Sequence, residues 1–125
     1  MRSIVLDIET TGLFFNEGHR ITEIGMLELK DGIPTGKTYH SYVNPQRDVP
    51  AFITELTGLT AAFLADKPVF NRIAKDVRDF ICDDPIIITC RHKDGYTLDI
   101  AFLSGELADA GIEKAIPAAQ WKNVR

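Results

Sequence analysis

The chain has 125 residues, with 14 basic and 18 acidic side chains and a formal net charge of −4. That length is typical of one domain, so we predict that residues 1–125 form a single domain, with 45% hydrophobic residues to build its core. The acidic balance argues against a broad electrostatic grip on a nucleic acid duplex, although a small metal-dependent phosphate site is still compatible with it. No apolar run approaches the roughly 18 residues of a membrane-spanning helix, so we expect a cytoplasmic protein without a membrane partner.

The two cysteines, Cys82 and Cys90, have no further Cys or nearby His at the spacing of a zinc finger. A free cysteine behaves as a small hydrophobic side chain. We therefore predict two reduced, mostly buried thiols, and neither a disulfide nor a zinc site.

The first half of the chain is patterned as strands. Residues 3–9 form a short β-rich run, and residues 20–30 form a longer run of alternating side chains. Asp31 and Gly32 are typical of a hairpin turn, and residues 37–43 follow as a third strand. Because so short a connection cannot cross over, the second and third strands are predicted to be antiparallel, which gives a three-stranded meander.

The second half combines helices with one strand. Residues 70–81 place their apolar side chains on one helical stripe, and residues 85–90 have the continuous β-branched run of a central strand buried on both faces. A second helix is predicted over residues 98–110, with Gly111 as its C-terminal stop, and short helical turns over residues 50–65. The order β-β-β-α-β-α implies a mixed sheet with helices packed on it.

Two acids stand at the end of the first strand. Because side chains alternate along a strand, Asp7 and Glu9 share one face while the apolar side chains share the other. Their separation of about 7 Å along the strand makes them repel one another in a partly buried site, and a divalent cation relieves such repulsion. A solvated acidic face on an edge strand is the alternative. The turn residues 10–13 favour a ligand site, because ligands collect at strand ends in such sheets.

Residues 4–13 read IVLDIETTGL, and this segment resembles the first motif of the DEDD-type 3′-5′ exonucleases, in the DnaQ-like group that includes proofreading subunits of bacterial replicative polymerases. The similarity continues in the family's order through HRITEIG at residues 19–25, LTGLT at residues 56–60 and LDIAFL at residues 98–103. The resemblance implies a ribonuclease-H-like α/β fold, a mixed β-sheet flanked by helices, which is C-terminally truncated relative to the family.

The resemblance also implies roles for individual residues. Asp7 would bridge two metal ions, Glu9 would hold the ion that activates water, and Asp99 would hold the other. Mg²⁺ or Mn²⁺ is the implied cofactor, in a two-metal hydrolysis of phosphodiester bonds. Thr10 and Leu13 match positions that contact or wedge the terminal nucleotide. The alternatives are an ordinary loop anchor for Leu13 and, for Asp99, an acid in the first turn of a helix, stabilised by the helix dipole.

The sequence departs from the family's pattern in two places. Asp94 and Gly95 stand where the family usually has a His-Asn pair, which alters the wall of the site. The family's third motif supplies a His as general base and a fourth Asp, whereas no His follows Asp99 in this chain. Because loss of a general base typically costs about 10²- to 10⁴-fold in rate, we expect impaired turnover.

Three hypotheses follow. The first is a 3′-5′ exonuclease that acts on single-stranded 3′ ends, with activity that is reduced or completed by another chain. The second is an inactive exonuclease fold that docks on a polymerase, a nuclease complex or a nucleic acid end. The third is a fragment of a complete enzyme, in which residues 121–125 belong to an interrupted helix or strand.

Overall fold

The structure is a computed structural model that describes residues 1–88 and 95–123. Within these residues five strands and four α-helices form an α/β protein. The strands are β1 (Arg2–Thr10), β2 (Ile21–Lys30), β3 (Ile33–Tyr42), β4 (Ile86–Ile88) and β5 (Trp121–Asn123). The α-helices are α1 (Ala51–Thr57), α2 (Ala61–Leu64), α3 (Phe70–Ile81) and α4 (Gly95–Asp109), with 3₁₀ turns at Phe15–Glu17 and Ala118–Gln120.

The strands form one mixed sheet in the order β3-β2-β1-β4-β5. The pairs β1/β2 and β2/β3 are antiparallel, and the pairs β1/β4 and β4/β5 are parallel. The predicted meander and the neighbouring central strands β1 and β4 are therefore confirmed. In β4, Ile86 and Ile88 are fully buried while Ile87 is half-buried, and the predicted remainder of that strand, Thr89 and Cys90, lies outside the described residues.

The β2-β3 hairpin turns at Asp31 and Gly32, as predicted. Both residues have positive φ, of 52° and 82°, and this backbone conformation matches the twist of the flanking strands. The third strand was predicted to begin at residue 37, but β3 already begins at Ile33. It includes Pro34, whose missing N–H is tolerated because β3 is an edge strand.

The hydrophobic core lies on one face of the sheet. The alternation along β1 turns Ile4, Leu6 and Ile8 to this face, where the apolar stripe of α3 packs, and the bounds of α3 are those predicted. Helix α4 adds Phe102, Leu103 and Leu107 to the same core. In the described part of the chain, no helix is both long and apolar enough to cross a membrane. The cytoplasmic location and the single domain stay predictions.

Helix α4 begins three residues before the predicted start at residue 98 and ends where Gly111 was predicted to stop it. Gly111 has a φ of 82°, and its N–H donates to the carbonyl of Ala108 at 3.0 Å. The N–H of Ile112 donates to the carbonyl of Leu107 at 3.0 Å. These two bonds satisfy carbonyls that the helix end would otherwise leave free, in the pattern of a glycine-terminated helix.

Two predictions about the second half were wrong. Cys82 is exposed, not buried, because it follows the last residue of α3 with a φ of 54° and leaves the core at that point; Cys90 lies outside the described residues. The predicted order also omitted a strand, since β5 follows α4 and pairs in parallel with β4. Trp121 at the start of β5 is only 5% exposed and extends the core.

The close approach of the Phe15 ring to Gly105 in α4 gives a test of this packing. A Cβ atom at Gly105 would lie well inside van der Waals contact of that ring, which also meets Phe102 edge-on at 5.8 Å between centroids. We expect Gly105→Ala to lower the free energy of unfolding by about 1–3 kcal/mol through overpacking. In a Phe15→Ala background the same change should raise it by up to about 1 kcal/mol, because alanine favours helix. Urea unfolding measures both, and equal effects in the two backgrounds would contradict the contact.

Candidate active site

The end of β1 presents two carboxylates on the face of the sheet opposite the core. Asp7 pairs with Gly25 of β2 and is partly exposed, while Glu9 pairs with Glu23 and is half-buried. Directly paired residues on neighbouring strands point to the same face. The site therefore contains a third sheet carboxylate, Glu23, which the sequence analysis treated only as part of a strand. Its proximity depends on strand register, so the β1 sequence alone gave no signal for it.

Asp99 approaches these acids from α4, where it is half-buried. Because the helix begins at Gly95, Asp99 lies in the second turn, and its interpretation as an acid of the first turn is wrong. Burial, followed by the charges of Asp7 and Glu9, raises the pKa of Asp99 to about 7. The structure thus brings together the three acids that the sequence singled out, within electrostatic reach of one another.

Crowding of negative charge also affects the two acids of β1. Partial burial, followed by the charge of Glu23, raises the pKa of Asp7, and a hydrogen bond from the backbone of Ile8 opposes this rise. Partial burial, followed by the charges of Asp7 and Glu23, raises the pKa of Glu9. Asp7, Glu9 and Asp99 therefore hold a proton more tightly than the same carboxyls would in water, as expected for partly buried groups with like charges close by.

His40 of β3 contacts the outer edge of this acidic group. Its Nε2 atom lies 2.6 Å from a carboxylate oxygen of Glu23, and its ring meets Tyr42 edge-on at 4.9 Å between centroids. His40 is half exposed, and the sequence analysis assigned it no role. The contact holds the Glu23 carboxylate towards β3.

The turn after β1 carries the two residues that match nucleotide-contacting positions of the family. The Thr10 hydroxyl donates to the carbonyl of Gly12 at 2.6 Å, which closes the turn, and Leu13 is 62% exposed. The ring of His19 covers Gly12 so closely that any Cβ atom there would collide with it. Nδ1 of His19 lies 2.9 Å from the hydroxyl of Thr11. These contacts of Thr10 and His19 stabilise the turn, and Leu13 is exposed to solvent.

The donor set suits a hard divalent cation, because it consists of carboxylate oxygens whose mutual repulsion such an ion would relieve. The carboxylates are neighbours and do not yet form a cage. Among residues 1–88 and 95–123, no group of three or more His, Cys, Asp or Glu side chains is arranged as a set of metal ligands. Of the two positions at which the sequence departs from the family's His-Asn pair, Gly95 begins α4, and Asp94 lies outside the described residues.

The chain is similar in sequence to a family of exonucleases and to bacterial DNA polymerase III subunits. A protein-family profile described as "Exonuclease" matches residues 4–107. The DNA polymerase III subunit epsilon of Rickettsia typhi is 45% identical over 108 residues, which cover 86% of this chain and 45% of that protein. The same subunit from Buchnera aphidicola subsp. Schizaphis graminum is 38% identical over 113 residues, covering 86% and 46%. The chain thus spans about half the length of the curated relatives it matches.

Solved structures share the fold at low sequence identity. E. coli exonuclease I in complex with a dT13 oligonucleotide has a TM-score of 0.75 at 13% identity, covering 95% of this chain and 25% of that one. Exonuclease X in complex with 5′ overhanging duplex DNA has a TM-score of 0.61 at 22% identity, covering 81% and 53%. The ribonuclease-H-like α/β fold expected from the sequence is confirmed.

The raised pKa of Asp99 predicts a pH dependence of stability. The pKa of Asp99 is about 7 in the folded chain, against an ordinary value of 3.8. The folded chain therefore binds this proton more tightly than the unfolded chain does, and ionisation destabilises the fold as pH rises between these two values. Without added metal, Asp99→Asn should be more stable than the parent near pH 8, by about 4 kcal/mol at most. Near pH 4 the two should unfold alike.

Thermal unfolding of both proteins from about pH 4 to about pH 8 measures this difference. Asp109→Asn is the matched control, because Asp109 is on the same helix and 60% exposed. A constant difference between Asp99→Asn and the parent at every pH would contradict the electrostatic origin.

Proposed function

Because the chain belongs to the exonuclease family, we propose that it removes nucleotides from the 3′ ends of nucleic acids by cation-assisted hydrolysis of phosphodiester bonds. The observation that carries the proposal is the proximity of Asp99 on α4 to Asp7 and Glu9 on β1. Burial, together with the charges of Asp7 and Glu9, raises the pKa of Asp99. Three carboxylates on two elements form an acidic site that would repel a phosphate unless a cation lay between them.

Asp7, Glu9 and Asp99 would hold the divalent cations. Their oxygens favour Mg²⁺ or Mn²⁺. When bound, such ions supply a water of lowered pKa and stabilise the leaving 3′ oxygen. The chain's own contribution is geometric: the stiff central strand fixes two carboxylates, and α4 fixes the third.

The turn after β1 supplies the contact with the terminal nucleotide. Leu13 is exposed in the turn that follows the acids of β1 and would offer an apolar surface to the last base, while Thr10 shapes the turn through its bond to Gly12. A single-stranded 3′ end is the proposed substrate, since a related fold, that of exonuclease I, is known bound to a dT13 oligonucleotide. The relatives named as polymerase III subunits support a polymerase complex as a partner.

Turnover by this chain alone should be slow. The two described histidines are already engaged, His19 with Thr11 and His40 with Glu23. Neither of them is free to accept the proton of the attacking water. The same observation supports a second candidate function, a binding module that docks a 3′ end in a polymerase or nuclease complex without cutting it.

A metal titration tests the proposed site. Mn²⁺ or Mg²⁺ at about 100 times its dissociation constant should stabilise the chain by about 2.7 kcal/mol and raise its melting temperature by several degrees, because it binds the folded site only. Asp7→Ala should abolish the shift, whereas Asp76→Ala, which removes an exposed acid of α3, should retain it. A melting temperature that Mn²⁺ leaves unchanged, or an equal shift in Asp7→Ala, would refute the site.

Digestion of a single-stranded oligonucleotide labelled at its 5′ end distinguishes the two candidate functions. We expect Mn²⁺-dependent shortening from the 3′ end at rates well below about 1 per second, and none with Asp7→Ala. Shortening at rates of that order or faster would contradict the expected slow turnover. Binding of the labelled oligonucleotide to the protein in the presence of Ca²⁺, without any shortening in Mn²⁺, would favour the binding module.

A further inference from the structure

Glu106 of α4 is a buried carboxylate that the proposed chemistry does not use. It is only 6% exposed, and its Oε2 atom accepts the backbone N–H of Ile21, the first residue of β2, at 3.0 Å. Burial raises the pKa of Glu106, and the bond from Ile21 opposes that rise. Burial of a carboxylate costs free energy, so its presence here needs a structural explanation. Its hydrogen bond joins residues that are 85 positions apart in the chain.

The donor of this bond, the N–H of Ile21, lies at an irregularity in the sheet, at the end of β1 that carries the acids. Glu9 pairs with Glu23, but the next residue, Thr10, pairs with Ile21, so that Thr22 is one extra residue in β2. Such bulges bend a strand and re-aim its neighbours, and they are common beside active sites. The N–H of Ile21, at the shifted end of the ladder, points to Glu106.

Glu106 and Asp99 share one face of α4. They are seven residues apart, which is close to two full turns and about 10.5 Å along the helix axis. A contact that fixes Glu106 against the start of β2 therefore fixes both the rotation of the helix and its axial position at Asp99. The distance from Asp99 to the acids of β1 depends on these two quantities.

Other contacts between α4 and the β1-β2 connection are less directional. Phe15 packs on Phe102 and Gly105, but apolar contacts of this kind have no angular preference as strict as that of a hydrogen bond. Arg20 lies 3.8 Å from Asp109, in an ion pair whose acid is 60% exposed and which contributes little. Glu106 makes the buried, directional contact of this group.

We propose that Glu106 is a positioning residue, which locks α4 to the bulge beside Glu9 and so sets Asp99 at the separation that the carboxylate site requires. The metal-binding part of this inference rests on the proposed function. Glu106 itself contacts neither cation nor substrate, and it acts through Ile21 and the helix.

The test compares Mn²⁺ affinity, measured calorimetrically, in three variants under conditions in which each is fully folded. Glu106→Ala should bind Mn²⁺ about tenfold more weakly, as when a supporting partner of metal ligands is lost. Glu106→Gln, whose amide oxygen still accepts from Ile21, should bind within about twofold of the parent. Ile81→Val, a fully buried change on α3, is the control for general loss of stability and should leave affinity unchanged.

A second measurement works without metal and follows the helix itself. Residual dipolar couplings of residues 98–109 relative to β1 and β2 should change in Glu106→Ala and match the parent in Glu106→Gln. Hydrogen exchange at Ile21 should accelerate only in Glu106→Ala. If Glu106→Ala does not fold, Glu106→Asp, which shortens the side chain by one methylene, takes its place with the same direction of effect.

Unchanged couplings in Glu106→Ala, or Mn²⁺ affinity within twofold of the Ile81→Val control, would overturn the positioning role and leave Glu106 as a contributor to stability only. A parent chain that binds no Mn²⁺ would instead refute the proposed function. In that case the dipolar couplings alone decide whether Glu106 positions the helix.

Discussion

The alternation of side chains along β1 is the constraint on which the rest of the structure depends. It sends Ile4, Leu6 and Ile8 into the core and leaves Asp7 and Glu9 on the opposite face. Because the period is two, a slip of one residue against β2 or β4 would bury both acids and expose the apolar row. The hydrophobic core therefore fixes the register of the acidic site, and core and site cannot be altered independently.

The sheet supplies Asp7, Glu9 and Glu23 on one face, and a further carboxylate comes from the helical layer. Helix α4 supplies Asp99 and places it where burial and the charges of Asp7 and Glu9 raise its pKa to about 7. The arrangement opposes the stability of the fold when all three acids are ionised. Sites that are destabilised in isolation and complemented by a ligand are common where activity requires a fixed geometry.

The sequence predicted those features whose cause is local. The apolar stripe of α3 predicted both ends of that helix. The Asp31-Gly32 turn, the Gly111 stop and the acid pair of β1 each depend on only a few consecutive residues. The remainder depends on distant partners. Strand β5 has three residues and no alternation to detect, and it exists because β4 offers an open edge. Glu23 and Glu106 gained their roles from strand register and from a contact across 85 positions.

The site's charge limits what either proposed function can be. The whole chain is acidic, at −4, and the acids around Asp7 concentrate further negative charge, so these described carboxylates repel a phosphate backbone. A cleaving enzyme and a binding module would face the same repulsion, because both have to bring a phosphodiester next to Asp7, Glu9 and Asp99. A divalent cation between carboxylates and phosphate removes it in either case. Under either proposal we therefore expect contact of this site with a nucleic acid end to depend on a cation, and the later proton transfer would separate cutting from holding.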